Sequence, residues 1–116
     1  MNTYDIARMI FVISEPQVDT NVSINIEMQV VNYLMTTFPD HIFICRATFL
    51  LIELFEPRSP QAWADQYCRI LMRCDAVYCH AGWRAHPLVD LASDMEMPIL
   101  DDQLDLELFL STEVEA

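Results

Sequence analysis

This chain of 116 residues contains no lysine and a single glycine, Gly82. All six cations are arginines, whereas 18 residues are acidic and the formal net charge is -12. Binding to nucleic acid needs cations that displace counterions from phosphates, so we expect no nucleic-acid partner. The same charge disfavours anionic membranes. A protein partner with a basic surface fits, because opposite charge speeds the encounter; alternatively, the acidity only keeps an apolar protein soluble.

Long apolar runs are also missing. None approaches the roughly 18 residues that a membrane span requires, and the N-terminal Met-Asn-Thr-Tyr-Asp lacks the basic region of a secretory signal. We therefore expect a cytoplasmic protein. All four cysteines lie in apolar segments, where a free thiol behaves as a small hydrophobic group. They form no Cys-x-x-Cys pair, so we expect no metal site, and nothing in the sequence indicates a cofactor.

Alternation of strand-like and helix-like segments predicts the fold. The apolar run from Met9 to Ile13, within a strand predicted over 7–14, is typical of a central parallel strand buried on both faces. Further strands are predicted at 41–47, 76–80 and 98–100, and helices at 21–38, 60–73, 87–95 and 102–112. This order predicts one α/β domain over 1–116: a three-layer, flavodoxin-like parallel sheet of four to five strands with helices on both faces.

The first predicted helix, over 21–38, has an ambiguous pattern. Its apolar residues from Val22 to Val30 alternate as they would in a strand. Its length and the proline that follows it favour a helix, and either Thr20 or Asn21 can cap it.

The C-terminal segment 101–116 is ambiguous in the same way. It carries six acidic residues and no cation, so much of the negative charge is a local feature. Asp102 can cap a last helix. The leucines from Leu104 to Leu110 also alternate, so a final edge strand is the competing prediction.

One motif carries a family resemblance. Cys74-Asp75-Ala76-Val77 leads from a helix into a strand, Ala81-Gly82-Trp83 forms the turn after it, and Pro98 precedes the next strand. This arrangement resembles the nucleoside 2-deoxyribosyltransferase-like superfamily, and in particular its short phage and bacterial members of unassigned function. The resemblance follows the order of elements over most of the chain and is specific over about residues 66–100.

The resemblance implies a small flavodoxin-like sheet, association into dimers or larger assemblies, and a nucleoside-like ligand. In active members a glutamate attacks the anomeric carbon of deoxyribose. Together with the chemistry of the residues themselves, the resemblance indicates a ligand-binding set of Ser14, Asp75, Gly82, Trp83, Arg84 and His86.

The chain departs from the family's pattern where the reaction takes place. Glu15 stands where the family has a glycine close to the sugar, and Tyr67 stands where it often has an aspartate. Asp90 is the carboxylate nearest to the expected nucleophile, but it is out of register and one methylene shorter than glutamate. A misplacement of about 1 Å can cost on the order of a hundredfold in rate. These departures therefore favour a protein that keeps the fold of the family but has lost its reaction.

Several candidates also have purely structural explanations. Asp75 can bind a ligand or hold its turn through its side chain. Trp83 and Tyr78 can stack on a ligand ring or anchor the core. Arg84 can bind a phosphate or carboxylate with its planar guanidinium, whereas Arg58, in a loop before a proline, is expected to be solvated.

The leading hypothesis is a non-catalytic binding protein on a degenerate deoxyribosyltransferase-like fold, acting through its acidic surface on a basic protein partner. A phage-type inhibitor of a host protein, in the host cytoplasm, fits the family context. One alternative is a nucleosidase or 2-deoxyribosyltransferase, with Glu15 and Asp90 as the two carboxylates that glycosyl chemistry needs. Another is a nucleoside- or nucleotide-binding module without turnover. An acidic pocket rim would disfavour phosphorylated ligands unless Arg84 faces inward.

Overall fold

The computed structural model describes residues 7–49, 55 and 58–111. Its strands are β1 (Met9–Ile13), β2 (Ile42–Ile44), β3 (Ala76–Cys79) and β4 (Ile99–Leu100), and its α-helices are α1 (Thr20–Thr37), α2 (Pro60–Leu71), α3 (Pro87–Asp94) and α4 (Gln103–Ser111). Short 3₁₀ turns, Arg46–Phe49 and His80–Gly82, come after β2 and β3. The ends of the predicted domain, 1–6 and 112–116, lie outside the described residues.

The strands form one parallel sheet in the order β2-β1-β3-β4. β1 is central, with Ile10 paired to Phe43 on one side and to Ala76 on the other. Residues 10–13 are at most 3% exposed, as expected for an apolar strand covered on both faces. The predicted α/β, three-layer, flavodoxin-like architecture with helices on both faces is confirmed, and the described residues supply four of the four to five strands expected.

Alternate residues of β1 belong to two separate cores, because successive side chains of a strand point to opposite faces of the sheet. Ile10 and Val12 pack with α1 and α4 on one face. Phe11 and Ile13 pack with α2 and α3 on the other face. The sheet is therefore the middle layer, and each pair of helices covers one side of it.

α1 is a helix, as its length predicted, despite the strand-like alternation of its first half. Its cap is Asp19 and not Thr20 or Asn21, since the Asp19 Oδ1 accepts a hydrogen bond from the Asn21 N–H at 2.8 Å. Only Val31 and Leu34 of this helix are buried, so its anchoring lies in the second half. No helix within the described residues, α1 included, is long and apolar enough to cross a membrane.

α4 is also a helix, and the competing edge strand is not formed. The Asp102 Oδ1 accepts a hydrogen bond from the Asp105 N–H at 2.8 Å, as the predicted cap requires. Leu106 is 0% exposed, whereas Leu104 is 63% and Leu108 is 59% exposed. These three leucines would share one face of a strand. Their different burial follows from helical spacing, which directs only Leu106 into the core.

Candidate functional site

A cavity of about 780 Å³ opens at the carboxyl end of β1. Residues of β1 and of the loop after it form one side, and the walls come from α1, α2 and the start of α3. α1, which follows β1, packs on one face of the sheet, whereas α3, which follows β3, packs on the other. The cavity therefore lies at the switch point between β1 and β3, where open α/β sheets bind their ligands.

Ser14 and His86 are the two residues of the predicted ligand-binding set that line this cavity. Ser14 is 6% exposed and directly follows β1. Within the described residues its hydroxyl has no hydrogen-bond partner, although it borders the cavity. A hydroxyl in this position can donate a hydrogen bond to a ligand or accept one from it.

His86 has a structural role as well as a place in the cavity wall. It caps α3, because its Nδ1 accepts a hydrogen bond from the Leu88 N–H at 3.0 Å. Burial lowers the pKa of His86, and the charge of Arg46 lowers it further, whereas Asp90 opposes the shift. The imidazole is therefore neutral at pH 7, which leaves Nδ1 able to accept the capping hydrogen bond.

The two carboxylates predicted for catalysis lie near the same edge of the sheet but do not line the cavity. Glu15 is exposed in the loop after β1, between two residues that do line it. Asp90 is exposed in the first turn of α3. A role for either in catalysis stays a prediction.

The turn after β3 contains the single glycine. Gly82 has a φ of +72°, and a Cβ at this position would meet no atom within 4 Å. Ala81 beside it has a φ of +55°. The left-handed backbone therefore favours a glycine here, and no close approach of another group demands one.

Trp83 and Arg84 lie beside the cavity but do not line it. Trp83 packs against the core under α2 and α3 and meets the His86 ring edge-on, with 6.1 Å between the centroids. The Arg84 guanidinium binds the Asp101 carboxylate through both oxygens, with its Nε 2.6 Å from Oδ1 and its Nη2 on Oδ2. The planar guanidinium does bind a carboxylate, and that carboxylate belongs to the chain itself.

Asp75 lies at the opposite end of the sheet from the cavity. Its Oδ2 accepts a hydrogen bond from the Met9 N–H at 2.8 Å, and its own N–H donates to the Met9 carbonyl at 2.7 Å. This reciprocal pair joins the amino ends of β1 and β3. Asp75 thus has the side-chain-to-backbone role that was the structural explanation for it.

Two arginines outside the predicted ligand-binding set line the cavity: Arg46, which the sequence did not single out, and Arg58, which was expected to be solvated. Arg46 begins the 3₁₀ turn just beyond the carboxyl end of β2, and Arg58 directly precedes the cap of α2. The Arg58 guanidinium lies over the Trp63 ring, 4.9 Å from its centroid, so it has a definite contact instead of only solvent. Their position in the chain was the available signal, because residues that follow strands or start helices reach this edge of the sheet.

Glu27, on α1, is a carboxylate that lines the cavity. Its Oε2 accepts a hydrogen bond from the Ala47 N–H at 3.3 Å. Burial raises the pKa of Glu27, against the opposing effects of this hydrogen bond and of the Arg46 charge. Arg46 thus acts electrostatically on both Glu27 and His86, and all three residues line the cavity.

An aromatic pair, Trp63 and Tyr67, completes the wall that α2 contributes. The two rings are 6.1 Å apart between centroids, and Tyr67 is 7% exposed. Flat apolar surface beside a few polar groups is the usual composition of a small-molecule site.

In comparisons with known proteins, no family model, curated protein or solved structure matches this chain.

Proposed function

We propose that this protein is a non-catalytic binding protein that holds a small molecule in the cavity at the carboxyl end of β1. The observation that carries the proposal is the cavity itself, about 780 Å³ in volume and placed at the switch point of the sheet. Its wall combines the Ser14 hydroxyl, the His86 ring and the Trp63 and Tyr67 rings. A nucleoside-like ligand, which the family resemblance implies, is compatible with this volume and these groups.

The arrangement of carboxylates supports binding without turnover. Glycosyl transfer or hydrolysis commonly uses two carboxyl groups on either side of the reacting bond. Among the described residues, Glu27 is the one carboxylate that lines the cavity, and its Oε2 already accepts a hydrogen bond from Ala47.

Cys68 offers a direct test of this site. It lines the cavity and is partly exposed, whereas Cys45, Cys74 and Cys79 are buried. Burial raises the pKa of all three buried thiols, that of Cys74 to about 11, so their reactive thiolate forms are scarce. Iodoacetamide should therefore alkylate Cys68 first, as mass spectrometry of the intact chain and of its peptides would show.

A ligand in the cavity should protect Cys68. We expect at least one compound from a panel of nucleosides, nucleotides and other organic phosphates to raise the melting temperature and to slow this alkylation. At ten times its Kd a ligand leaves about one site in ten empty, so the rate should fall about tenfold. Cys68→Ala is the control, since it should lose the rapid alkylation but keep the rise in melting temperature. A rise in melting temperature without protection of Cys68 would mean that the ligand binds outside this cavity. Release of free base from a nucleoside would contradict the absence of turnover.

The acidic surface supports a second function, binding of a basic protein partner. α4 exposes Leu104 and Leu108 one turn apart, with Asp105 and Glu107 on the same helix and no cation among its nine residues. Exposed apolar side chains surrounded by like charge are typical of a protein interface. An inhibitor of a host protein, association into a homodimer and a cytoplasmic location all stay predictions.

This second function predicts a complex that salt weakens. A partner captured by the immobilised full chain should be released as ionic strength rises, because screening shortens the reach of the charges. Leu104→Ser and Asp105→Asn should each reduce capture, whereas Arg73→Gln, away from α4, should not. Equal capture by all three variants would contradict an interface on α4.

A further inference from the structure

Among the described residues that line the cavity, cations outnumber acidic groups, unlike in the chain as a whole. The chain has a formal net charge of -12 and six cations, yet two of those cations, Arg46 and Arg58, line this one cavity. Glu27 is the one acidic side chain among the described residues that line it. Glu15 and Asp90 are exposed in segments next to this lining and do not belong to it, so an acidic rim stays a prediction.

The two arginines stand on opposite elements of the wall. Arg46 follows β2 and acts electrostatically on Glu27 of α1 and on His86 of α3. Arg58 precedes α2, and its Cζ lies over the Trp63 ring, 4.9 Å from the centroid. The planar fork of a guanidinium matches the oxygens of a phosphate group.

Two further features of the same space favour an anion. Thr20, Pro60 and Pro87, the first residues of α1, α2 and α3, all line the cavity, so the N-terminal ends of three helices border it. Ser14 is a buried residue that borders the cavity, and its hydroxyl, which has no partner among the described residues, supplies a donor at the same edge. Helix starts are common at this edge of an α/β sheet, so they support the arginines and the hydroxyl but do not replace them.

We propose that the ligand of this cavity is an organic phosphate, with its phosphoryl group held by Arg46 and Arg58 and its ring lying against the Trp63 and Tyr67 side chains. This inference rests on the proposed binding function and adds the chemical class of the ligand. Arg84, the arginine predicted for an anion, binds Asp101 instead. Ionised Glu27 opposes an anion, and the charge of Arg46 acts on the same carboxylate with the opposite sign.

Matched pairs of compounds test the class of ligand. Isothermal titration calorimetry of the full chain would compare 4-nitrophenyl phosphate with 4-nitrophenol, and adenosine monophosphate with adenosine. We expect at least one phosphate ester to bind, and to bind at least about tenfold more tightly than its parent, since charge-assisted hydrogen bonds are lost with the phosphoryl group. Inorganic phosphate should compete with it, and 4-nitrobenzoate should bind more weakly because its carboxylate carries fewer oxygens and less charge.

Three charge-matched variants test the place of binding. Arg46→Gln and Arg58→Gln should each weaken the phosphate ester about tenfold or more, with little effect on the neutral parent. Arg73→Gln is the control, because Arg73 is exposed after α2, does not line the cavity and brings the same change in net charge. Melting temperatures of the unliganded variants verify that each one folds.

The possible outcomes separate the two proposals. Neutral compounds that bind as tightly as their phosphate esters, and that protect Cys68, would overturn the phosphate and keep the binding function. If 4-nitrobenzoate binds as tightly as 4-nitrophenyl phosphate, the cavity binds anions in general and is not selective for phosphate. Equal losses in all three variants would mean that net charge alone acts, which overturns the placement on Arg46 and Arg58. No binding of any of these compounds, with Cys68 unprotected, would overturn both proposals.

Discussion

Leu106→Ala should be the most informative change to the stability of this protein. Leu106 is 0% exposed and is the one buried residue of α4, where it packs beside Ile10, Leu34 and Leu100. Truncation of a fully buried leucine removes its transfer free energy and leaves a cavity behind, at a cost of about 2–5 kcal/mol. Because Phe109 and Leu110 are only partly buried against the same core, Leu106 is the main anchor of α4, and we expect a value near the middle of this range together with loosening of the helix.

Leu104→Ala is the matched control for this prediction. Leu104 is 63% exposed on the same helix, so the same truncation should cost less than about 0.5 kcal/mol. Urea denaturation followed by circular dichroism would give both free energies of unfolding, and hydrogen exchange would report the loosening of α4. Similar costs for the two variants would refute the reasoning, since leucines two positions apart share a face in a strand and not in a helix.

Three further changes have smaller expected effects, each measured by urea denaturation. The lowered pKa of His86 means that its neutral, capping form stabilises the fold above pH 6.5, and this contribution is lost as the pH falls through the folded pKa. His86→Asn keeps a cap that does not titrate, so its free energy of unfolding should fall less than that of the parent chain between pH 7 and pH 5. Asp75→Ala should cost about 1–2 kcal/mol by removing the acceptor of the Met9 N–H, and Asp75→Asn should cost less because its Oδ1 can accept. Arg84→Ala should cost less than about 1 kcal/mol, with the difference shrinking in high salt, because its pair with Asp101 is half exposed.

The sheet and its helices could be predicted from the sequence because their signals are local and strong. The apolar run of β1, the serine and proline that start α2, and the proline that starts α3 each indicate one structure. The alternating patterns in α1 and α4 were ambiguous because alternation and helical spacing agree over short windows. Tertiary contacts select the helix in both segments. Leu34 and Leu106 are buried in the core, whereas apolar residues on the other sides of these helices, such as Met28 and Leu104, are exposed.

The candidate site was harder to predict because it depends on which loops meet. The sequence identified Ser14 and His86, because Ser14 directly follows β1 and His86 caps the start of α3, both at the carboxyl edge of the sheet. Asp75 was also singled out, but it starts its strand and therefore lies at the other edge. Arg46 and Arg58 are separated by twelve positions in the chain, and only the packing of α2 against the sheet brings both to one cavity. No spacing rule expresses that contact.

The cavity also joins the two layers of helices that the sheet separates. Its walls include α1 from one core and α2 and α3 from the other. A ligand that contacts helices on both faces of the sheet must dissociate before the helices of either face unfold locally. Ligand binding therefore raises the free energy of local unfolding by the same amount in both layers. Amide exchange in α1 and in α2 should then slow by equal factors at saturation. A bound ligand would thus couple the local stability of the two helix layers.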